Sequence, residues 1–299
     1  KFFLMKIGID LGGTKTEGIL IDNDGKELTR HRIKTQKNYE GTIDGIKSIV
    51  NNFENKFGVV ESIGVGMPGA ISLDSSLIKN ANSIWLNGKP LKKNLEEELG
   101  RRVNLENDAN CFALSEAVDG AGMGKAVVFG VIVGTGVGGG IVVNQKILQG
   151  RNNIGGEWGH IALPNRTEKE IKYNKNCYCS QEGCMETYVS GPGFAASYNL
   201  RYGTNLDSHE IIQGYSSDEK SKEALENYVD CLARGLSIVI NVLDPDVIVL
   251  GGGMSNIDFI YEVINSQLKK YVFTDTLHTQ VVKNIHGDSG GVRGAAWLG

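Results

Sequence analysis

Sliding residues 7–21 forward by 122 positions, without gaps, lays one glycine-rich segment of this chain on another. Gly8, Gly12 and Gly18 fall on Gly130, Gly134 and Gly140, while Ile7, Ile9 and Leu11 fall on Phe129, Val131 and Val133. The triplet Ile19, Leu20, Ile21 falls on Ile141, Val142, Val143. Both segments read as strand, tight turn, strand. Two unrelated glycine-rich hairpins would share part of such a match. The other reading is a duplicated domain, with two glycine hairpins facing each other across a cleft.

Helical periods lie between and after these hairpins. Ile43, Ile46, Ile49, Val50, Phe53 and Phe57 are spaced for one helix face, and Leu91, Leu95 and Leu99 mark a second helix stopped by Gly100. "KEALENYVDCLARGLSIVINVL" is a long amphipathic helix closed by Asp244-Pro245, and "VIVLGGG" is a buried strand entering a glycine turn before a helix near 257–271. Residues 6–33 read as two strands around a turn. Strands mixed with helices throughout make the class α/β.

The 40 glycines are aperiodic and come with only 5 prolines, which excludes collagen and leaves tight turns or backbone contacts to a ligand. A net charge of -4 gives no general attraction to nucleic acid or anionic lipid. No apolar run is long enough for a membrane-spanning helix, so a cytoplasmic protein with no membrane partner is expected.

Two windows match G-x-G-x-x-G, at 64–69 and 134–139. The dinucleotide fingerprint requires a helix to follow, and here "AISLDSS" and "GIVVN" follow instead. The Gly-Lys pairs at 25, 88 and 124 lack the Ser or Thr of a Walker loop. What remains is a hairpin type of phosphate loop. In "DLGGTKT" (Gly12, Gly13, Thr14, Lys15) and "GTGVGGG" (Gly134, Thr135, Gly136), backbone N–H groups can approach anionic oxygens. "LGGG" (Gly251, Gly252, Gly253) is a third such turn. Asp10 beside the first can hold Mg²⁺ directly or through water. Tight β-turns are the plainer alternative for each loop. Asp108 opens a helix in "VNLENDANCFALSEA", where an N-cap and a general base are both open readings.

"IGIDLGGTKTEG", "GVGMPG", "NDANCFALSEA", "GTGVGGGIVVN", "GGEWGHIALP", "CYCSQEGCME" and "VIVLGGG" occur in that order, from Lys6 to the end. As a set they resemble the ROK family of bacterial sugar kinases, which also includes transcriptional repressors. The resemblance implies a hexokinase/actin-like (ribonuclease H-like) duplicated α/β fold, with ATP and sugar between two domains. The expected domains are 1–118, smaller and joined by a C-terminal helix at about 289–299, and 119–288, larger and carrying a zinc site. The resemblance makes Asp108 the base that takes the proton from the sugar hydroxyl. It places Pro68, Gly69, Asn82, Asn107, Glu157, His160 and Glu186 against the sugar. The three glycine turns and Asp10 then hold ATP and Mg²⁺.

Cys177, Cys179 and Cys184 crowd into eight positions. Cys177 and Cys179 are too close to bridge easily, and a C-x-x-C redox pair is missing. Structural zinc takes four N or S ligands. The family's zinc site draws a His from the G-H motif and three cysteines from C-x-C-x₄-C, which here means His160, Cys177, Cys179 and Cys184. Ser180 stands where the family usually has Gly, a modest cost if its φ is negative. Zinc would be architectural, and Cys111 and Cys231 would be packing residues.

The repressor branch carries a helix-turn-helix ahead of the kinase-like body, and only five residues precede Lys6 here. An enzyme with no nucleic-acid partner is therefore expected, with a non-catalytic sugar sensor as the reading from another class. "KNANSIWLNGKPL" and "HGDSGGVRGAAWLG" resemble the fructokinase (mannofructokinase) branch, implying fructose or mannose as substrate. N-acetylglucosamine kinase is the rival and glucokinase a further one. A homodimer is expected.

Overall fold

The computed structural model describes residues 4–287 and 290–299. The expected boundary between residues 288 and 289 lies outside the described residues.

The chain opens with three strands, β1 (Met5–Leu11), β2 (Lys15–Asp22) and β3 (Glu27–Lys34), followed by helix α1 (Tyr39–Phe57) and strand β4 (Ser62–Met67). A short ribbon of β5 (Ala70–Ile71) and β6 (Ile78–Lys79) leads to α2 (Leu91–Leu99), β7 (Asn104–Asn107) and α3 (Asp108–Val118). Then come β8 (Val127–Val133), β9 (Val137–Val143) and β10 (Lys146–Ile147). Four helices follow: α4 (Glu168–Lys172), α5 (Glu186–Val189), α6 (Gly191–Tyr202) and α7 (Ser208–Gln213). The long α8 (Glu219–Leu243), β11 (Val247–Gly251), α9 (Asp258–Leu268), β12 (Gln280–Lys283) and α10 (Gly290–Ala296) complete the chain.

Two five-stranded sheets have orders β3-β2-β1-β4-β7 and β10-β9-β8-β11-β12. In each, an antiparallel hairpin is extended on its first strand by parallel strands. The offset of 122 carries Met5–Leu11 onto Val127–Val133, so the duplication legible in the sequence is a duplication of sheet topology. Residues 6–33 contain parts of three strands, not two. The third, "ELTRHRIK", is a polar and largely exposed edge strand that gives no apolar alternation to read.

The chain separates into two compact units. One takes in the described residues of Lys1–Gly124, Gly140–Gly155 and Asp288–Gly299; the other takes in Lys125–Gly139 and Gly156–Gly287.

In the first unit both faces of the sheet are covered. Ile7, Ile9, Leu11 and Leu20 share a core with Ile43, Ile46, Ile49, Val50 and Phe53 of α1. The Asn38 side chain caps α1 by accepting from the Gly41 N–H, and Gly58, at φ 91°, ends it. Phe57, expected on the apolar face, is 41% exposed at the last turn. On the other face α10 lies directly on the strands. A Cβ on Gly8 would fall 2.1 Å from the Val292 carbonyl oxygen, and one on Gly64 would fall 1.8 Å from that of Ala295. These strand glycines are there so that a helix backbone can approach.

In the second unit α8 buries Leu225, Val229, Leu232 and Leu236, and ends where Asp244 turns left-handed at φ 48°. Gly235 on this helix leaves room for Met185 and Trp158: a Cβ there would meet the Met185 Cε at 2.2 Å. The neighbouring Arg234, 3% exposed, donates to the carbonyls of Pro164 (2.8 Å) and Asn165 (3.1 Å) and pairs with Glu170 and Asp230. One helix thus holds the turn at Pro164-Asn165 and the start of α4.

Candidate active site and metal centre

The first unit gathers acidic side chains at the mouth of its hairpin. Asp10 stands opposite Glu17 in the β1–β2 register, and opposite residues share a sheet face. Glu17 is 2% exposed and is held by Arg30 and by Arg32 at 2.9 Å. Asp10 is half-buried. Its carboxyl is pushed from 3.8 to about 7, first by burial, then by Asp108 and Glu17, with Lys15 opposing. An acid so disfavoured as an anion, beside a second carboxylate, suits a divalent cation. The offset of 122 replaces Asp10 by Ile132 and Glu17 by Gly139, so the duplicate hairpin keeps the turn and lacks the acids.

This shift has a pH consequence. Between 3.8 and about 7 the folded chain holds a proton that the unfolded chain has released. The Asp10 contribution to stability therefore falls as pH rises through that window. Mg²⁺ takes the ionised form, so it should raise the melting temperature more at pH 8 than at pH 6, and Asp10→Asn should remove that difference. An equal Mg²⁺ effect at both pH values in the native protein would take Asp10 out of the cation site.

Asp108 lies in the first turn of α3, but the cap is Asn107. The Asn107 Oδ1 accepts from the N–H groups of Ala109 (2.9 Å) and Asn110 (3.3 Å), and its Nδ2 donates to the Gly69 carbonyl at 3.0 Å. Asp108 Oδ1 shares the Ala109 N–H with the cap, accepting from it at 2.8 Å, and Asn107, expected against the sugar, also ties Gly69 to the helix start. Gly69 itself has φ 79°, and a Cβ there would meet the Lys79 carbonyl oxygen at 2.5 Å. Glu106 adds support that spacing alone did not suggest: its Oε1 accepts from Asn107 N at 2.8 Å and Asn110 Nδ2 at 2.9 Å. Pro68 is buried, while Asn82, Gly13, Thr14 and Lys15 are exposed. The β1–β2 turn closes through Gly12 N–H to the Lys15 carbonyl at 3.0 Å.

The second unit brings two of the expected glycine turns together. A Cβ on Gly134 would lie 3.9 Å from the Gly253 nitrogen. Gly252, at φ 83°, passes so close to β8 that a Cβ would meet the Val133 carbonyl oxygen at 2.6 Å. Thr135, at the tip, is exposed, and Gly136 sits over Glu186. Glu186 Oε2 accepts from the Val137 N–H at 3.0 Å, which fastens α5 to the β8–β9 turn.

Beside them the cysteine cluster forms. The donor atoms of His160, Cys177, Cys179 and Cys184 all lie within 4.8 Å of one another. Cys179 Sγ is 3.6 Å from Cys184 Sγ, and Cys177 Sγ is 3.6 Å from His160 Nδ1. Sulfurs bound tetrahedrally at about 2.3 Å stand ~3.8 Å apart, so these four residues have the donor types and spacing of a structural zinc site. The Gln181 backbone N–H, ahead of the neighbouring thiols, lowers Cys179 to about 7, while burial pushes Cys184 up to about 12. Cys179 is thus the more readily deprotonated of the two, and a bound metal would displace the thiol protons.

Ser180 departs from expectation. Its φ is +70°, not negative, and its N–H donates to the Cys177 carbonyl at 3.0 Å. A side chain in the left-handed region costs about 1 kcal/mol. Ser180→Gly should therefore raise the melting temperature and slow zinc loss to a chelator; a variant that melts lower would contradict the strain.

Tyr178 was not singled out by the spacing. Its hydroxyl lies 3.1 Å from His160 Nε2 and its ring meets the imidazole edge-on, with centroids 5.3 Å apart. Burial of the hydroxyl, then Glu186, Cys177 and Glu157, push it up to about 12. Glu157 itself is exposed, just before the 3₁₀ turn Trp158–His160. The aromatic between two clustered cysteines was the available signal.

The ROK family model matches residues 6–299, and the chain belongs to the ROK family. It is 39% identical over 299 residues to the N-acetyl-D-glucosamine kinase of Vibrio parahaemolyticus, covering 98% of this chain and 99% of that one. The enzyme of the same name from Pectobacterium carotovorum is 38% identical, with 98% of each chain covered. Among solved structures, the ROK hexokinase from Thermus thermophilus superposes with a TM-score of 0.87 at 29% identity, covering 99% of this chain and 97% of that one. A ROK glucokinase from Streptomyces griseus, in complex with glucose and AMPPNP, gives 0.79 at 27% identity, with 98% of each covered. The fold is the two-domain α/β fold of ROK hexokinases. The relatives' names do not carry the fructokinase branch expected from the sequence.

Proposed function

We propose that this protein is an ATP-dependent sugar kinase that phosphorylates a free sugar hydroxyl, with N-acetyl-D-glucosamine as first substrate. The observation that carries the reading is the acidic pair of the first unit. Asp108 is in the first turn of α3 with Asn107 as cap, close enough to Asp10 to raise its pKa. A kinase needs a base for the hydroxyl proton and an acid for Mg²⁺, and little further covalent chemistry. Asp108 takes the first role and Asp10 the second. Bound Mg²⁺ would neutralise the phosphate charge that Asp10 alone repels. Exposed Thr14 and Thr135, with their glycine turns, supply donors to the phosphates.

In the second unit Glu157, His160 and Glu186 are the sugar contacts. Zinc on His160 and the three cysteines holds that segment's shape. The sugar is drawn from the relatives' names, which replace the fructose and mannose expectation. Fructose or mannose, the expectation drawn from "KNANSIWLNGKPL" and "HGDSGGVRGAAWLG", is the second reading. ADP release measured with N-acetyl-D-glucosamine, mannose, fructose and glucose separates these. The highest kcat/KM for N-acetyl-D-glucosamine supports the first reading, and a clear preference for mannose or fructose overturns it in favour of the second.

A further inference from the structure

We infer that residues 148–155, the loop after β10, form a strap that positions the Asn107–Asp108 pair, with Gln149 and Glu106 as positioning residues for turnover. This rests on the reading of Asp108 as general base and extends it to a segment 43 positions from Glu106. The strap belongs to the same compact unit as the pair, within Gly140–Gly155.

Glu106 is 9% exposed, and its two carboxylate oxygens are divided between two tasks. Oε1 accepts from the Asn107 N–H at 2.8 Å and from Asn110 Nδ2 at 2.9 Å, which pins the start of α3 on either side of Asp108. Oε2 accepts from Gln149 Nε2. An ionised carboxylate only accepts, so the Gln149 amide presents its NH₂ group here. Gln149 is exposed, and the strap thus reaches from the surface to a buried acid.

The far end of the strap is held by the ribbon that follows Gly69. Asn153 Nδ2 donates to the Ile71 carbonyl of β5 at 3.0 Å, and Lys79 Nζ of β6 donates to that of Asn152 at 3.4 Å. The Gly155 N–H donates to the Gln149 carbonyl at 2.9 Å and closes the loop. A Cβ on Gly155 would meet the Leu148 carbonyl oxygen at 2.3 Å. Because Asn107 Nδ2 donates to the Gly69 carbonyl, one circuit runs from Asn107 through Gly69, β5, Asn153, Gln149 and Glu106 back to Asn107. Asp108, whose Oδ1 accepts from the Ala109 N–H at 2.8 Å, is carried by the same turn. A general base works when its oxygen meets the hydroxyl at hydrogen-bond distance, and a misplacement of about 1 Å costs about 100-fold. The circuit supplies that constraint.

The test exchanges the roles of the two partners. Gln149→Glu sets a second carboxylate against Glu106, so the bond is lost whether the new side chain stays or turns to solvent. In the folded variant kcat should fall about 10-fold or more and sugar KM should rise, with ATP KM within about twofold of native. Hydrogen–deuterium exchange over residues 104–112 should quicken. Adding Glu106→Gln returns an acceptor to Asn107 and Asn110 and a donor to the new acid. The double variant should therefore recover most of the lost kcat and the native exchange rate. Native kcat and sugar KM in Gln149→Glu overturn the inference, whatever its melting temperature, because the strap would then be structural alone. So does a double variant no better than Gln149→Glu. Native protein that turns over no sugar would fail the kinase reading instead, and the exchange rates of the two variants would still decide whether the strap holds the helix start.

Discussion

Asp108→Asn should lower kcat by about 1000-fold, within the range that a positioned general base contributes, with sugar and ATP affinity close to native. The split between turnover and binding is what identifies the role. Asparagine keeps the size of the side chain and its place in the first turn of α3, and Asn107 keeps the cap through Ala109 and Asn110. The helix start should therefore survive the substitution. Only the proton acceptor is lost. A variant with native kcat would remove Asp108 from the chemistry, and one with lost sugar affinity would make it a binding group instead.

The second large effect is expected at the cysteine cluster. Cys179→Ser should reduce zinc from about one per chain to near none, because hydroxyl is a poor zinc ligand beside thiolate. Sugar KM should rise by about 10-fold or more, since His160 is both a cluster member and a sugar contact in this account. Asp10 and Asp108 belong to the other unit, so the Asp10-dependent pH behaviour of Mg²⁺ binding should persist. Metal analysis and the two KM values decide it. Full zinc content in the variant would contradict the assignment of Cys179 as a ligand.

Much of the fold was legible because its signals are local. Leu91, Leu95, Leu99 and Gly100 mark a helix and its stop, and Gly100 indeed turns left-handed at φ 65°. The repeat was legible because glycine turns and alternating apolar strands sit at one offset in both halves. The edge strand β3 was not, because none of its residues is fully buried and its polar sequence shows no apolar alternation. The site was legible as residue types and illegible as partnerships. Sequence offered Asn107 and Asp108 side by side; both side chains accept from Ala109 N–H, and only the further bond from Asn110 N–H marks Asn107 as the cap. It offered Ser180 without its φ. Arg234, lying within an amphipathic helix pattern, gave no hint that it would hold Pro164, Asn165 and Glu170. Such contacts join residues 64 to 70 positions apart, beyond any local period.

The most direct test of the central claim is the fate of the γ-phosphoryl group. Native protein with Mg²⁺, ATP and N-acetyl-D-glucosamine, mannose or fructose can be followed by phosphorus NMR. The account predicts ADP and a sugar phosphate monoester forming in equal amounts, with no inorganic phosphate beyond that of a sugar-free control. No phosphate ester on any of the three sugars, from folded, zinc-loaded protein, would contradict it.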